Sequence, residues 1–151
     1  MDWASFLPPF FGVLVAFAIN RVYGYIKDMI DKKKLLRNFK TELETSLGLL
    51  DGHGNILPVT IWNSATTSGK LMLLSYNQII QISSIYFNVE NQNYEAKRTR
   101  DIAEMYETEG HPTARETVKQ HWQRLTLRLN TLENRLRNDI NELLKQNIWD
   151  C

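Results

Sequence analysis

PPFFGVLVAFAINRVYGYI, residues 8 to 26, begins as an apolar run and then places Asn20 and Arg21 before the apolar character ends. No basic side chain occurs from Trp3 to Ile19. A membrane-spanning helix needs about 20 apolar residues, with roughly 17 to 25 tolerated. Val22, Tyr23, Tyr25 and Ile26 bring the segment into that range. Trp3 and Phe6 at one end and the two tyrosines at the other resemble interfacial aromatic belts. A secretory signal needs a basic start and a small-residue cleavage site. Here the start carries Asp2, and the bulky NRVYGYIK follows the run, which excludes that class. A buried core helix is the competing reading, because Pro8-Pro9, suited to a first helical turn, can shorten the helical part. The pattern predicts a transmembrane helix over 1–27 and a cytoplasmic helical domain over 28–151.

Charge blocks outside the run give its orientation. Residues 20 to 40 hold seven basic residues against Asp28 and Asp31, a net of +5, whereas 41 to 110 net −5 and 111 to 151 net +2. Lys and Arg within about 15–20 residues of a span mark the cytoplasmic side. The N-terminus is therefore expected outside and the C-terminus in the cytoplasm of a cell membrane. Arg21, Lys27, Lys32, Lys33 and Lys34 become anchors at the inner interface. Arg21 snorkels to the headgroups, and the block attracts anionic inner-leaflet lipid at about 1 kcal/mol per residue. The only cysteine is Cys151, so no internal disulfide can form.

Asn20 is too short to snorkel far. Positions four apart read Gly12, Ala16, Asn20, Gly24, all small or polar. They form one slowly drifting stripe of a helix. Small residues let membrane helices approach closely, and an Asn can hydrogen-bond across the contact. Phe10, Phe11, Leu14, Phe17 and Val22 occupy the other faces and suit lipid. A homo-oligomer associating through the span is expected.

The rest of the chain has helical spacing. Met29, Ile30, Leu36, Phe39, Leu43, Leu47 and Leu50 predict a helix to about residue 50, continuous with the span because no Gly or Pro lies between Tyr25 and Leu47. DGHGN, 51 to 55, ends it. A short helix is expected from Pro58 to Ser68, with Gly69 past its end, and KLMLLS can be an extended connector. Ser75 and Gln78 read as a capping box opening a helix over about 75–107, with Ile79, Ile82, Tyr86, Val89, Asn93 and Ala96 along its seam. Arg100 continues that line. TEGHP breaks the chain, and Thr113 with Glu116 reads as a second capping box. The last helix carries Val118, Trp122, Leu125, Leu129, Leu132, Leu136, Ile140 and Leu143, heptad-like with one stutter between Leu132 and Ile140. Leu127 and Leu144 broaden its apolar face. The expected fold is all-α: a transmembrane helix continuing into a bundle of three long helices and one short one, with Trp62, Asn93 and Trp122 at its seams.

Trp62, Ser68-Gly69, Leu71, Leu73-Leu74 and Ile85-Tyr86, followed by Asn91 and Asn93, resemble a motif of uncharacterised prokaryotic single-span membrane proteins. The resemblance covers about a quarter of the chain. It implies a helical module behind a membrane anchor and no activity.

Residues with chemistry are sparse. His53 and His111 lie in loops, and neither they nor His121 have partners at metal-ligand spacing. TTSGK lacks the first glycine of a phosphate loop. No nucleophile-and-base pattern occurs. Arg124, Arg128, Arg135 and Arg137 form a basic strip diluted by Glu133, Asp139 and Glu142, which reads as a solvated face rather than a nucleic-acid surface. The chain is expected to be no enzyme and to hold no cofactor or metal. The expected function is a membrane-anchored oligomerisation or adaptor module, with an unidentified protein as a possible further partner. The alternative is a homo-oligomeric channel lined by the Gly12, Ala16, Asn20, Gly24 face, with Arg21 at its inner mouth.

Overall fold

The computed structural model describes residues 3–149, with side chains from Phe11 onward. It is all-helical, with no strand among the described residues. Four α-helices follow in order: α1 (Trp3–Leu49), α2 (Thr60–Thr67), α3 (Tyr76–Thr108) and α4 (Pro112–Lys145). Short 3-10 turns lie at Lys70–Leu73 and Asn147–Trp149.

Local chemistry accounts for the boundaries. α1 runs unbroken for 47 residues, starting ahead of Pro8-Pro9 rather than at them. It stops where Gly52 donates its N–H to the Leu49 carbonyl at 3.1 Å and the Asn55 amide donates to the same carbonyl at 2.9 Å. A Cβ on Gly52 would come within 2.6 Å of Asn55 Nδ2, so a larger residue there would displace the Asn55 amide from its bond to Leu49. α2 begins at Thr60, two residues later than Pro58 predicts, and gives way to Gly69 with φ 69°. Left-handed backbone of this kind suits glycine and terminates helices. Lys70–Leu73 coils into a 3-10 turn instead of extending, and extended backbone begins at Leu74. Ser75 and Gln78 form both halves of their capping box. The predicted box at Thr113 does not form, because α4 starts earlier, at Pro112, with His111 as its N-cap. Proline has no N–H to leave unpaired and its φ is already helical, so it opens the helix without a side-chain cap.

α3 and α4 pack as a hairpin, and the second half of α1 closes the bundle with α2 at its side. The core joins Leu36, Phe39 and Leu43 of α1, Ile82, Tyr86 and Val89 of α3, and Leu136, Ile140 and Leu143 of α4, with Leu57, Ala65 and Leu74 from the connections. Each large side chain buried there contributes about 1.5–3 kcal/mol. Phe39, Trp62 and Tyr86 meet as an aromatic cluster; Trp62 stacks on Tyr86 at 5.1 Å and 10°. The final turn is tied down by Trp149 Nε1 donating to the Leu143 carbonyl at 3.0 Å and by Gln78 Nε2 donating to the Ile148 carbonyl at 2.6 Å.

The seams depart from the predicted lines in three places. On α1 the core begins at Leu35, and Met29 and Ile30 stay exposed, because no other helix reaches them. On α4 the buried line is Leu125, Leu129, Glu133, Leu136, Ile140, Leu143. Glu133 takes the place the spacing gives to Leu132, so the two successive steps of four fall earlier. Leu127 is 71% exposed and widens no buried face. On α3 the line passes through Gln92, Glu95 and Ala96, leaving Asn93 half-buried and Arg100 exposed.

Candidate functional site

Two features stand apart from ordinary core packing. The first is the free arm of α1. From Phe11 to Ile30 every side chain is exposed, and only Gly24 is half-buried. Phe11, Val13, Val15, Phe17, Ile19 and Val22 all face outward without a neighbour from the bundle. Gly12, Ala16 and Asn20 are exposed with them, and nothing lies within 4 Å of a Cβ placed on Gly12 or Gly24. The predicted association stripe is therefore uncovered in the single chain. Arg21, Lys27, Lys33 and Lys34 are exposed and Lys32 half-buried; among the described residues none of the five is in an ion pair. Among the described residues no helix is long and apolar enough to cross a membrane. Trp3, Phe6, Pro8, Pro9 and Phe10, on which the 1–27 span also draws, lie outside the residues whose side chains are described.

The second feature is the loop between α1 and α2, held by buried glutamates that the apolar spacing does not reveal. Glu133 is 3% exposed. Its Oε1 accepts the Gly54 N–H at 2.9 Å and Gln92 Nε2 at 3.4 Å, and its Oε2 lies 3.0 Å from His53 Nδ1. Gly54 reaches it with φ 75°, a conformation glycine adopts freely. Gln92 Nε2 also donates to the Asn55 carbonyl at 3.1 Å. Glu42 works similarly from α1. Its Oε1 accepts the Ile61 N–H at 2.9 Å, near the start of α2, and its Oε2 accepts the Tyr86 hydroxyl at 2.5 Å. It thus supplies the acceptor that Val59, at the N-cap of α2, cannot. Burial, reinforced by that hydrogen bond and by the Glu42 charge, raises the Tyr86 phenol well above the ordinary tyrosine range. Glu95, on α3, pairs with Arg128 at 3.0 Å.

Asn93 acts on the loop rather than on a helix seam. It accepts the Leu57 N–H at 2.6 Å and donates to the Leu57 carbonyl at 2.9 Å. Arg100 donates to the Gly54 carbonyl at 3.3 Å. Asn93→Ala strips both partners from a fully buried residue and is expected to cost about 2–3 kcal/mol. Arg100→Ala should cost under about 0.5 kcal/mol, as an exposed site does. Urea unfolding of the two variants checks the contrast.

Beside this loop lies a cleft of about 230 Å³ lined in part by His53, Arg100, Thr99 and Trp122. Trp122 is half-buried and stacks on Tyr106 at 6.3 Å, with the Arg115 guanidinium 4.9 Å from the Tyr106 ring centre. His53 and Glu133 have the spacing of a base and its orienting carboxylate. Among the described residues no hydroxyl or thiol hydrogen-bonds the imidazole, and no three His, Cys, Asp or Glu side chains converge as a metal site. What the arrangement does is fasten a loop to a bundle. Trp62, Gly69, Leu71 and Leu74 of the motif are likewise explained by packing, by the turn at Gly69 and by the start of α3. No protein-family model, curated protein or solved structure matches the chain.

Proposed function

We propose that the chain is a single-pass membrane protein that self-assembles through its span and its helical bundle and serves as a membrane-anchored oligomerisation or adaptor module. The observation that carries the reading is the outer part of the α1 arm, Phe11 to Ile19, which has no polar side chain, is exposed all round and is continuous with a helix that enters the core. An all-apolar helix belongs inside protein or lipid, and an exposed apolar surface of this extent marks a contact. Phe11 to Ile26 is short for a bilayer; with the apolar sequence from Trp3 onward it reaches the length required. The basic block then lies against the anionic inner leaflet, with residues 28–151 in the cytoplasm. The resemblance of Trp62–Tyr86 to single-span proteins leads the same way.

Asn20 supports the self-association half of the reading. An amide in a span needs a partner, and a hydrogen bond between copies supplies one worth about 0.6–2 kcal/mol. Gly12→Leu with Ala16→Leu should push the helices apart and lower the mass of the detergent-purified species to that of a single chain. A wild-type protein that is already monomeric, with the variant unchanged, would refute self-association.

A further inference from the structure

The exposed face of α3 is unlike the surface of a solvated helix. Between Lys70 and Glu95 the only charged residue is Glu90, in a chain that is 23% charged. Tyr76, Ile80, Ser84, Phe87, Asn91 and Tyr94 recur three or four residues apart, which puts them on one face, and all are exposed. Tyr76 is 80% exposed, and Phe87 and Tyr94 are each 65% exposed. Next to this stripe runs a groove of about 490 Å³, lined by Trp62, Ile80, Ser83, Ser84, Phe87 and Glu90. An exposed aromatic ring thus stands at a hollow that two serines also line, on the same surface.

We infer that this face is a contact between two copies of the chain, in which Phe87 of one copy packs into the groove beside Ser83 and Ser84 of the other. The inference rests on the self-association reading and names the bundle surface that performs it. Charge selects the occupant. Lys33, Lys34, Arg37 and Lys40 on α1 and Arg124 on α4 are exposed and in no ion pair among the described residues, and Arg128 and Arg135 on α4 are exposed with carboxylate partners, so a contact between two copies through either face has to bring like charges together or desolvate ion pairs. The α3 face meets itself with a single charge, Glu90, which lines the groove. It has no basic residue with which to hold anionic lipid or a nucleic acid. A two-fold arrangement uses the same patch twice, so the ring and the hollow on one surface satisfy each other.

The size of the patch sets the conditions under which it works. Tyr76 to Tyr94 spans about 27 Å of a helix about 10 Å wide. That is well below the roughly 800 Å² per partner of a standard stable interface. The contact therefore forms between chains already held in one bilayer, where tethering raises their effective concentration.

The test uses the full chain in its membrane, on a Cys151→Ser background, with single cysteines introduced by Ser84→Cys, Phe87→Cys or Leu127→Cys and mild oxidation. Ser84→Cys and Phe87→Cys are expected to give a product of twice the chain mass, at least five-fold more abundant than Leu127→Cys, which reports from an exposed position on α4. Adding Phe87→Asp to Ser84→Cys should lower the yield about ten-fold with helical content unchanged, since Phe87 is outside the core. Yields at 84 and 87 no higher than at 127 overturn the contact. A product whose mass is not two copies overturns the assignment of its occupant. If the wild type is oligomeric in detergent while both α3 positions fail to cross-link, the contact is refuted and self-association stands. A monomeric wild type overturns both.

Discussion

Raising the pH from 10 to 11 is expected to destabilise the wild-type bundle by about 1 kcal/mol more than the Tyr86→Phe variant, measured by urea unfolding at each pH. The Tyr86 phenol is fully buried and hydrogen-bonded to the Glu42 carboxylate. Burial first, and then the Glu42 bond and charge, hold its proton in the folded state well above the ordinary value. An unfolded chain releases that proton near pH 10. The raised folded value means that the stabilisation is complete below pH 10 and declines as pH climbs beyond it, because the unfolded state then loses the proton first. Tyr86→Phe removes the titrating group and with it this part of the slope. At neutral pH the same variant should lose about 1–2 kcal/mol, since Glu42 keeps the Ile61 N–H as a donor. Glu42→Ala should lose about 3 kcal/mol, because it leaves both the Tyr86 hydroxyl and the Ile61 N–H without an acceptor. Equal slopes for wild type and Tyr86→Phe would mean that the phenol is hydrated.

The second large effect belongs to the arm. Leu14→Lys with Phe17→Lys is expected to release the full chain from membranes into the soluble fraction on alkaline carbonate extraction. A lysine near the middle of a span costs about 2.5–3.5 kcal/mol on insertion, so the pair costs about 5–7 kcal/mol. That equals a shift of about four to five orders of magnitude in the insertion equilibrium. The bundle should not notice. Leu14 and Phe17 are exposed and belong to no core cluster, so unfolding of the released protein should match wild type within about 0.5 kcal/mol. Retention in the membrane after both substitutions would contradict the anchoring reading. Loss of the bundle's stability would mean that the arm folds back onto it.

Helix boundaries and buried acids differ sharply in how far the sequence reveals them. The Ser75–Gln78 capping box, the stop at Gly69 and the break after Leu49 depend on residues a few positions apart, and a linear reading finds them. Thr113–Glu116 is a similar signal that loses to Pro112, whose fixed φ starts the helix earlier. Glu133 is invisible to apolar spacing because its partners arrive from elsewhere: His53 lies 80 residues away. Glu42 and Tyr86 are 44 residues apart. Leu132 also hides it, because it fills the same turn of α4 with an apolar residue and the spacing reads through without Glu133. Leu127 misleads for the opposite reason, since an exposed leucine carries little penalty and reports nothing about packing. The arm of α1 is legible as apolar and helical, whereas what covers it depends on molecules other than a single copy of the chain.

The continuity of α1 has a mechanical consequence. A helix with no hinge between Phe11 and Leu49 transmits rotation as well as position. Each residue between the arm and the first core leucine advances the backbone by about 1.5 Å and turns it by about 100°. The azimuth at which the bundle presents α3 to its surroundings is therefore geared to the azimuth of Gly12 and Asn20. Swivelling one end about the helix axis swivels the other, and the number of residues from Ile30 to Leu35 sets the angle between them.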